Sequence, residues 1–213
     1  MVDLKEFEQK AADLRVLGMK ISIGQDTVYE KYWDEDCRRN IYSASKSFTS
    51  CAVGFAVQEG LIDLDERLMD AFKEDIPNNP DENLKKATVK DLLTMTLGQE
   101  KGFLMGKQRP RMEEQNWVKA SLAIPFVYEP GTHFVYNNVG PYLAGILVQR
   151  RAGCDLLSYL TPRLLKPLGI RKTIWEVDPE GNTFGAGGLF LTVSELHKLG
   201  MFYLQNGCWN GKK

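Results

Sequence analysis

The sequence predicts an α+β fold whose body is mostly helical. Two short stretches of alternating apolar residues lie near the start, within residues 18–33, and predict a β-hairpin. From residue 41 onward, helix start and stop signals follow one another closely. The 213 residues are 43% apolar, which is enough for a sizeable core, and no repeat or linker divides them. We therefore expect one domain over 1–213, with a helix and a hairpin in 1–40 and mostly helices in 41–213.

The first forty residues predict one helix followed by the hairpin. Asp3-Leu4-Lys5-Glu6 has the pattern of a capping box, and apolar residues follow at helical spacing: Leu4, Phe7, Ala11 and Leu14. The period then changes to two over residues 19–23 and again over residues 27–32. Between them, Gly24-Gln25-Asp26 is typical of a turn, so the two stretches predict an antiparallel pair.

The remaining helices are predicted from their caps and apolar faces. An apolar helix is expected over 43–60, and Thr88 with Asp91 marks the start of a short helix that ends by Gly98. Residues 99–113 contain glycine, proline and several charges, and they predict a mobile loop. Further helices are expected over 141–153, over 156–165 and from the capping box Thr192–Glu195 to about Gly207, with a tight glycine-rich loop at 185–188.

Charge and composition exclude several classes of function. The 27 basic residues balance 28 acidic ones without a basic cluster, so we expect no nucleic-acid partner. The N-terminal residues lack the pattern of a signal peptide and no segment is apolar enough to span a bilayer, so we expect a cytoplasmic protein with no membrane partner. The four cysteines are scattered and no histidine stands at ligand spacing, which favours reduced thiols and predicts neither a metal nor a cofactor.

The stretch 41–50 carries the first candidate for chemistry. Ser43 and Lys46 are three residues apart, so a helix that begins at or just before Ser43 places the hydroxyl and the amine on one face. A serine hydroxyl needs a neighbouring base, and a lysine serves as one only when burial or nearby cations lower its pKa. This spacing alone is weak, because an N-cap serine and a solvated lysine would produce the same pattern.

A second polar cluster strengthens the first. Tyr136-Asn137-Asn138 lies at a turn before another predicted helix. A Tyr136 phenolate next to Lys46 could take the Ser43 proton and pass it to a leaving group, while the Asn138 amide could orient a substrate carbonyl. No G-x-S-x-G element is present, which argues against a Ser-His-Asp triad.

Six segments carry a recognisable pattern: IYSASKSFT at 41–49, DLLTMT at 91–96, EPGT at 129–132, YNN at 136–138, KPLG at 166–169 and AGGL at 186–189. Taken together, they resemble the class C β-lactamase-related serine hydrolases. That β-lactamase-like and penicillin-binding-protein-like group also includes esterases, D-aminopeptidases and oligomer-cleaving amidases. The resemblance implies Ser43 as nucleophile, Lys46 and Tyr136 as the acid/base pair and Asn138 as a substrate or network contact. We read the glycine-rich loop as a border of the active site and predict that Gly187 and Gly188 bind substrate.

The sequence departs from the family pattern in two places. The element that usually reads Leu-Leu-Thr-His-Thr-Ser-Gly appears as LLTMTLG at 92–98, which we expect to alter only local packing. No K-T-G, H-T-G or H-x-G element is found before residue 213. In this family that element lies on a later sheet strand that also carries one oxyanion-hole amide. We therefore expect a C-terminally truncated β-lactamase/transpeptidase-like domain with an incomplete antiparallel sheet, and loss of one oxyanion donor costs roughly a hundredfold in rate or more.

The incomplete sheet predicts a partner for the hairpin. An isolated two-stranded hairpin is marginally stable and presents an unpaired edge to water. We expect the edge in residues 18–33 to pair with the same hairpin of a second copy, which would give a homodimer.

Residues and resemblance together predict a serine hydrolase. It would cleave a small-molecule ester or amide through an acyl-enzyme on Ser43, with activity weakened or lost in this chain. Because no export signal is present, an esterase or amidase is favoured over a periplasmic β-lactamase. The alternative is a non-catalytic fragment, or a binding or assembly module, that keeps the fold without turnover.

Overall fold

The structure, a computed structural model, describes residues 4–211, and it confirms the α+β prediction. Short antiparallel strands accompany a larger number of helices. In chain order the elements are α1 (Lys5–Asp13), β1 (Gly18–Ile23), β2 (Asp26–Tyr32), β3 (Arg39–Asn40), α2 (Ser45–Gln58), α3 (Leu68–Ala71), α4 (Glu82–Lys86), α5 (Val89–Thr94), α6 (Trp117–Leu122), α7 (Val139–Ala152), α8 (Leu156–Leu160), β4 (Phe190–Leu191) and α9 (Val193–Leu204). No helix within 4–211 is long and apolar enough to cross a membrane.

The chain forms two compact units. The first contains 4–40, Leu164–Thr173 and 190–211, and the second contains Ile41–Arg163 and Ile174–Leu189. The first unit therefore begins with the segment predicted as helix and hairpin, and it adds two later segments that we expected in the helical part. The expectation of a single domain stays a prediction.

In the first unit, the predicted hairpin is confirmed. β1 and β2 pair antiparallel from Gly18 opposite Tyr32 to Ile23 opposite Asp26, with a bulge after Ile21. α1 begins after Leu4, and Asp3 of the expected capping box lies outside the described residues. Within 4–211, β1 and β2 form a two-stranded sheet, and pairing with a second copy stays a prediction.

Helix α9 packs beside this hairpin in the first unit. Its predicted capping box is present, because the Thr192 hydroxyl accepts a hydrogen bond from the Glu195 amide and the Glu195 carboxylate accepts one from the Thr192 amide. His197 Nε2 lies 2.9 Å from the Ser22 hydroxyl of β1. This polar contact ties the helix to the strand.

In the second unit, α7 is the central helix and packs against both α2 and α5. Every residue of α7 from Val139 to Gln149 is buried, as expected for a helix that is apolar around most of its circumference. Gly140 permits the close approach to α5, since a β-carbon there would lie 2.2 Å from the Leu92 carbonyl oxygen. This packing fixes the start of α7, and therefore the residues just before it, relative to α2.

Several helix boundaries differ from the predictions: α2 begins at Ser45 rather than at residue 43, and α7 begins at Val139 rather than at residue 141. Two further differences have a clear physical reason. The helix expected to reach Gly98 ends at Thr94, because Met95 adopts a left-handed conformation and its carbonyl accepts a hydrogen bond from the Val135 amide. The helix expected over 156–165 is α-helical only to Leu160 and continues as a π-helical turn over Thr161–Leu165. Pro162 lies in that turn, and its missing N–H prevents a regular α-helix.

Candidate active site

Ser43 lies in a tight turn directly before α2. Residues Tyr42–Ala44 form a single 3-10 turn, and Tyr42 has a φ of 47°, a left-handed conformation that is costly for a residue with a side chain. The buried Ser45 hydroxyl holds the turn, because it donates to the Tyr42 carbonyl at 2.6 Å and accepts from the Leu189 amide at 3.1 Å. As a result, the Ser43 side chain is exposed at the start of the helix.

Lys46 lies in the first turn of α2, and its amine faces Ser43. Nζ is 3.2 Å from the Ser43 hydroxyl oxygen, 2.8 Å from Asn138 Oδ1 and 2.6 Å from the Ala186 carbonyl oxygen. Burial lowers the pKa of Lys46, Tyr136 opposes that change, and the positive charge of Arg109 adds to it, so the pKa lies below its usual value. The amine is therefore closer to its neutral form than a solvated lysine.

The orientation of the Asn138 amide is fixed by the loop over residues 99–113. Asn138 Nδ2 donates to the Leu104 carbonyl at 2.9 Å, and its backbone amide donates to the Phe103 carbonyl at 3.2 Å. Because a carbonyl only accepts, Nδ2 must face Leu104 and Oδ1 must face Lys46. The segment predicted to be mobile is thus hydrogen-bonded to the site at residues 103 and 104.

Tyr136 completes the group around Ser43. Its side chain is half-exposed, and its ring centroid lies 5.3 Å from Lys46 Nζ. Burial raises the pKa of the Tyr136 phenol, but its hydrogen bond with Ser43 and the charge of Lys46 lower it by more, so the pKa lies below the ordinary value. Ser43, Lys46, Tyr136 and Asn138 are therefore brought together as the sequence predicted.

The glycine-rich loop borders the group through Ala186 rather than through its glycines. The Ala186 carbonyl binds Lys46, whereas the Gly187 carbonyl accepts from Trp175 Nε1 at 2.8 Å. Gly188 has a φ of 83°, and the Glu176 side chain occupies the space beside its α-carbon. Both glycines are buried. Substrate binding by Gly187 and Gly188 stays a prediction.

Sequence reasoning missed several groups that build this site. The Leu104 and Ala186 carbonyls belong to the backbone, so no side-chain pattern could have marked them. Ser45 and Thr49 could have been found, because they lie four residues apart on α2, and the Thr49 hydroxyl donates to the Gly185 carbonyl at 2.7 Å. A polar pair at helical spacing within an apolar helix indicates contacts with buried backbone.

The geometry supports nucleophilic chemistry at Ser43. Within residues 4–211, no three histidine, cysteine, aspartate or glutamate side chains are grouped as a metal site. A hydroxyl, an amine and a phenol share hydrogen bonds at one exposed position. This arrangement can take a proton from Ser43 as the hydroxyl attacks an electrophilic carbon.

The family model described as Beta-lactamase matches residues 5–207. The chain is 31% identical over 157 residues to monacolin J acid methylbutanoyltransferase from Aspergillus terreus, covering 64% of this chain and 37% of the relative. It is also 31% identical over 150 residues to lovastatin esterase from Penicillium rubens, covering 60% of this chain and 37% of the relative. The matches thus span a little over a third of these curated relatives.

A solved structure shares the fold. A Bacillus anthracis protein assigned as a 6-aminohexanoate-dimer hydrolase superimposes with a TM-score of 0.82 at 20% identity, covering 96% of this chain and 58% of that one. An identity this low supports the fold alone. The superposition confirms the predicted β-lactamase/transpeptidase-like architecture.

Proposed function

The chain belongs to the Beta-lactamase family, and we propose that it acts as a serine hydrolase on a small-molecule ester or amide. Ser43 would be the nucleophile, and Lys46 with Tyr136 would carry its proton. The family has acyltransferase and esterase members among the matched relatives, which supports chemistry on an acyl group.

One observation carries the proposal, namely the set of partners around Lys46 Nζ. Asn138 Oδ1 and the Ala186 carbonyl oxygen only accept hydrogen bonds, so they take two N–H groups of the amine. The remaining position of the amine is shared by the Ser43 hydroxyl, 3.2 Å away, and the Tyr136 phenol, which also hydrogen-bonds to Lys46. In the neutral amine that position is the lone pair, which is the arrangement a general base requires.

The reaction proceeds in two steps that use the same residues. Ser43 Oγ attacks the substrate carbonyl carbon while its proton passes to the Lys46–Tyr136 pair. The C–O or C–N bond then breaks, and the leaving group takes that proton, which leaves an acyl ester on Ser43. Water attacks this ester, gives one proton back through the pair to Ser43 Oγ and releases the carboxylic acid.

Labelling with a fluorophosphonate tests the nucleophile directly. The wild-type chain should be modified at Ser43, as identified by peptide mass spectrometry, and Ser43→Ala should not be modified. Ser47→Ala is the matched control, because Ser47 is an exposed serine of α2, four residues after Ser43, and its loss should leave the labelling unchanged. Absence of Ser43 labelling in folded wild-type protein would refute the proposal and favour the alternative, a non-catalytic module of this fold.

Turnover is measured separately from labelling. With an activated ester such as p-nitrophenyl acetate, a chain that completes both steps releases nitrophenol continuously, whereas a chain that only acylates gives a single burst. Removal of the Ser43 hydroxyl should abolish both signals with little change in stability, because the side chain is exposed.

A further inference from the structure

The residue before the proposed nucleophile has a strained backbone. Tyr42 has a φ of 47°, in the left-handed region that residues with a β-carbon rarely adopt. Its side chain is 74% exposed, so the ring is not held by packing into the core. A conformation of this kind persists only where the surrounding structure imposes it. The contacts that do so lie in the backbone on either side of Tyr42 and in one buried hydroxyl.

Both ends of the turn that contains Tyr42 are attached to Leu189. The Ile41 amide donates to the Leu189 carbonyl at 2.9 Å, and the Leu189 amide donates to the Ser45 hydroxyl at 3.1 Å. Leu189 and Ser45 are fully buried, so water does not reach the bond between them. The three residues between Ile41 and Ser45 must therefore span a separation that Leu189 sets.

The Ser45 hydroxyl also holds the peptide group that carries Ser43. It donates to the Tyr42 carbonyl at 2.6 Å, and that carbonyl belongs to the same planar peptide as the Ser43 amide. A change of φ at Tyr42 to the ordinary helical value would be a rotation of about 100° directly before Ser43. The Ser43 hydroxyl oxygen lies 3.2 Å from Lys46 Nζ, and such a rotation would not preserve that contact.

A purely local role for the Ser45 hydroxyl is the simpler alternative. Serine in a helix commonly donates to a carbonyl three or four residues earlier. Two features of Ser45 go beyond that pattern: the carbonyl belongs to a residue in a left-handed conformation, and the same hydroxyl accepts from an amide 144 residues further along the chain. Thr49, one helical turn later, donates to the Gly185 carbonyl at 2.7 Å and offers a second buried hydroxyl for comparison.

We propose that Ser45 is a positioning residue, whose hydroxyl holds Tyr42 in its left-handed conformation and thereby keeps the Ser43 hydroxyl against Lys46. This inference rests on the proposed function for its consequence, since the position of Ser43 affects the reaction only if Ser43 is the nucleophile. Without the Ser45 hydroxyl, Tyr42 loses the bond that maintains its strained conformation, and only a minor part of the population presents Ser43 to the amine.

The first test is the rate of fluorophosphonate labelling at Ser43. Ser45→Ala should slow labelling about 5- to 30-fold, the range expected when one buried hydrogen bond no longer favours the competent conformation. Glycine adopts a positive φ without strain, so it does not need the Ser45 hydroxyl to stay left-handed. In a Tyr42→Gly background, Ser45→Ala should therefore slow labelling less than about twofold.

Two controls isolate the backbone effect. Tyr42→Ala removes the ring as Tyr42→Gly does, but it keeps the β-carbon that makes the left-handed conformation costly, so Ser45→Ala should still slow labelling about 5- to 30-fold in that background. Thr49→Ala removes the other buried hydroxyl. Its effect on labelling should be equal in the wild-type and Tyr42→Gly backgrounds.

A merely structural role predicts a different pattern. The loss of a buried hydrogen bond alone would slow labelling by the same factor whichever residue stands at position 42. Equal slowing by Ser45→Ala in the wild-type, Tyr42→Gly and Tyr42→Ala backgrounds, or no slowing at all, would overturn the inference. If Ser45→Ala does not fold by itself, the two double variants carry the comparison, each relative to its own single variant at position 42.

A crystal structure of Ser45→Ala separates this inference from the proposed function. With wild type as the reference, Tyr42 should leave the left-handed region in Ser45→Ala and remain in it in Thr49→Ala. Wild type that never labels contradicts the proposed function alone, and the inference is then decided by φ at Tyr42. A Tyr42 φ that stays near 47° in Ser45→Ala would refute the role of the hydroxyl.

Discussion

Replacing Asn138 with aspartate tests whether Lys46 is the titrating base. Asn138→Asp puts a carboxylate oxygen where Oδ1 now lies, 2.8 Å from Nζ. An opposite charge at such a distance stabilises the ammonium form and raises the pKa of a lysine by about 1 to 3 units. The protonated amine has no lone pair for the Ser43 proton, so labelling should slow about 10- to 1000-fold on the acid limb and recover at higher pH.

The same substitution also affects stability through the Leu104 carbonyl. That carbonyl accepts from Asn138 Nδ2, and the ionised aspartate has no donor to replace it. Since Leu104 is fully buried, losing the donor should cost about 1 to 3 kcal/mol in the free energy of unfolding. Urea unfolding measures this loss, and the pH profile measures the change at Lys46.

Asn137→Asp is the control for the added charge. The Asn137 side chain accepts from the Gly140 amide at the start of α7, where a carboxylate is favoured by the helix dipole. It adds the same charge one residue away without the hydrogen bond to Lys46. If Asn138→Asp left the pH profile at its wild-type position, or moved it no more than Asn137→Asp did, Lys46 would not be the base.

Four other substitutions probe the site and both units. Tyr136→Phe keeps the ring but removes the phenol, and it should slow Ser43 labelling about 100- to 10,000-fold with little change in melting temperature; full activity would exclude the proton-transfer role. Burial raises the pKa of Glu195, but its hydrogen bonds with Arg38 lower it by more, so its stabilising contribution is present at neutral pH and is lost as the pH falls through the lowered value. Glu195→Gln should therefore cost about 1 to 3 kcal/mol in urea unfolding at pH 7, and the difference from wild type should shrink in acid. Gly140→Ala should lower the free energy of unfolding by about 1 to 3 kcal/mol, because the new β-carbon would lie 2.2 Å from the Leu92 carbonyl oxygen. Gly54→Ala is the control at an exposed helical site with open space, and it should raise the free energy of unfolding by about 0.5 to 1 kcal/mol. Equal effects of the two substitutions would show that the contact between α7 and α5 is not tight.

The sequence predicted those parts of the fold that short-range chemistry determines. The hairpin follows from alternation and a turn within 18–33, and the capping boxes at Thr88 and Thr192 follow from residues three apart. The left-handed turn at Tyr42 could not be predicted in this way. It is held by contacts with Leu189, which lies more than 140 residues away: its amide donates to Ser45, and its carbonyl accepts from the Ile41 amide.

The candidate site likewise has one part that follows from the local sequence and another that depends on tertiary packing. The Ser43–Lys46 contact follows from a separation of three residues, from the 3-10 turn into the first turn of α2, whereas Tyr136 and Asn138 are connected to it by their chemistry and by the family resemblance. Their approach depends on the packing of α7 against α2 and α5, which no local pattern encodes. The backbone acceptors at Leu104 and Ala186 depend on loop conformation, so they were visible only in the structure.

The proposed role of Lys46 would also account for relatives of one family that include a transferase and an esterase. In the proposed mechanism, the base would remove a proton from Ser43 in the first step and from the acyl acceptor in the second, and its position would suit any acceptor O–H that reaches the acyl ester. Selection between water and an alcohol therefore cannot come from Ser43, Lys46 or Tyr136. That selection must come from the residues that line the site around Ser43 and admit or exclude each acceptor. In residues 4–211 the Ser43 and Tyr136 side chains are open to solvent, so water has access to an acyl group on Ser43. Hydrolysis is therefore the outcome that the proposed mechanism predicts for residues 4–211.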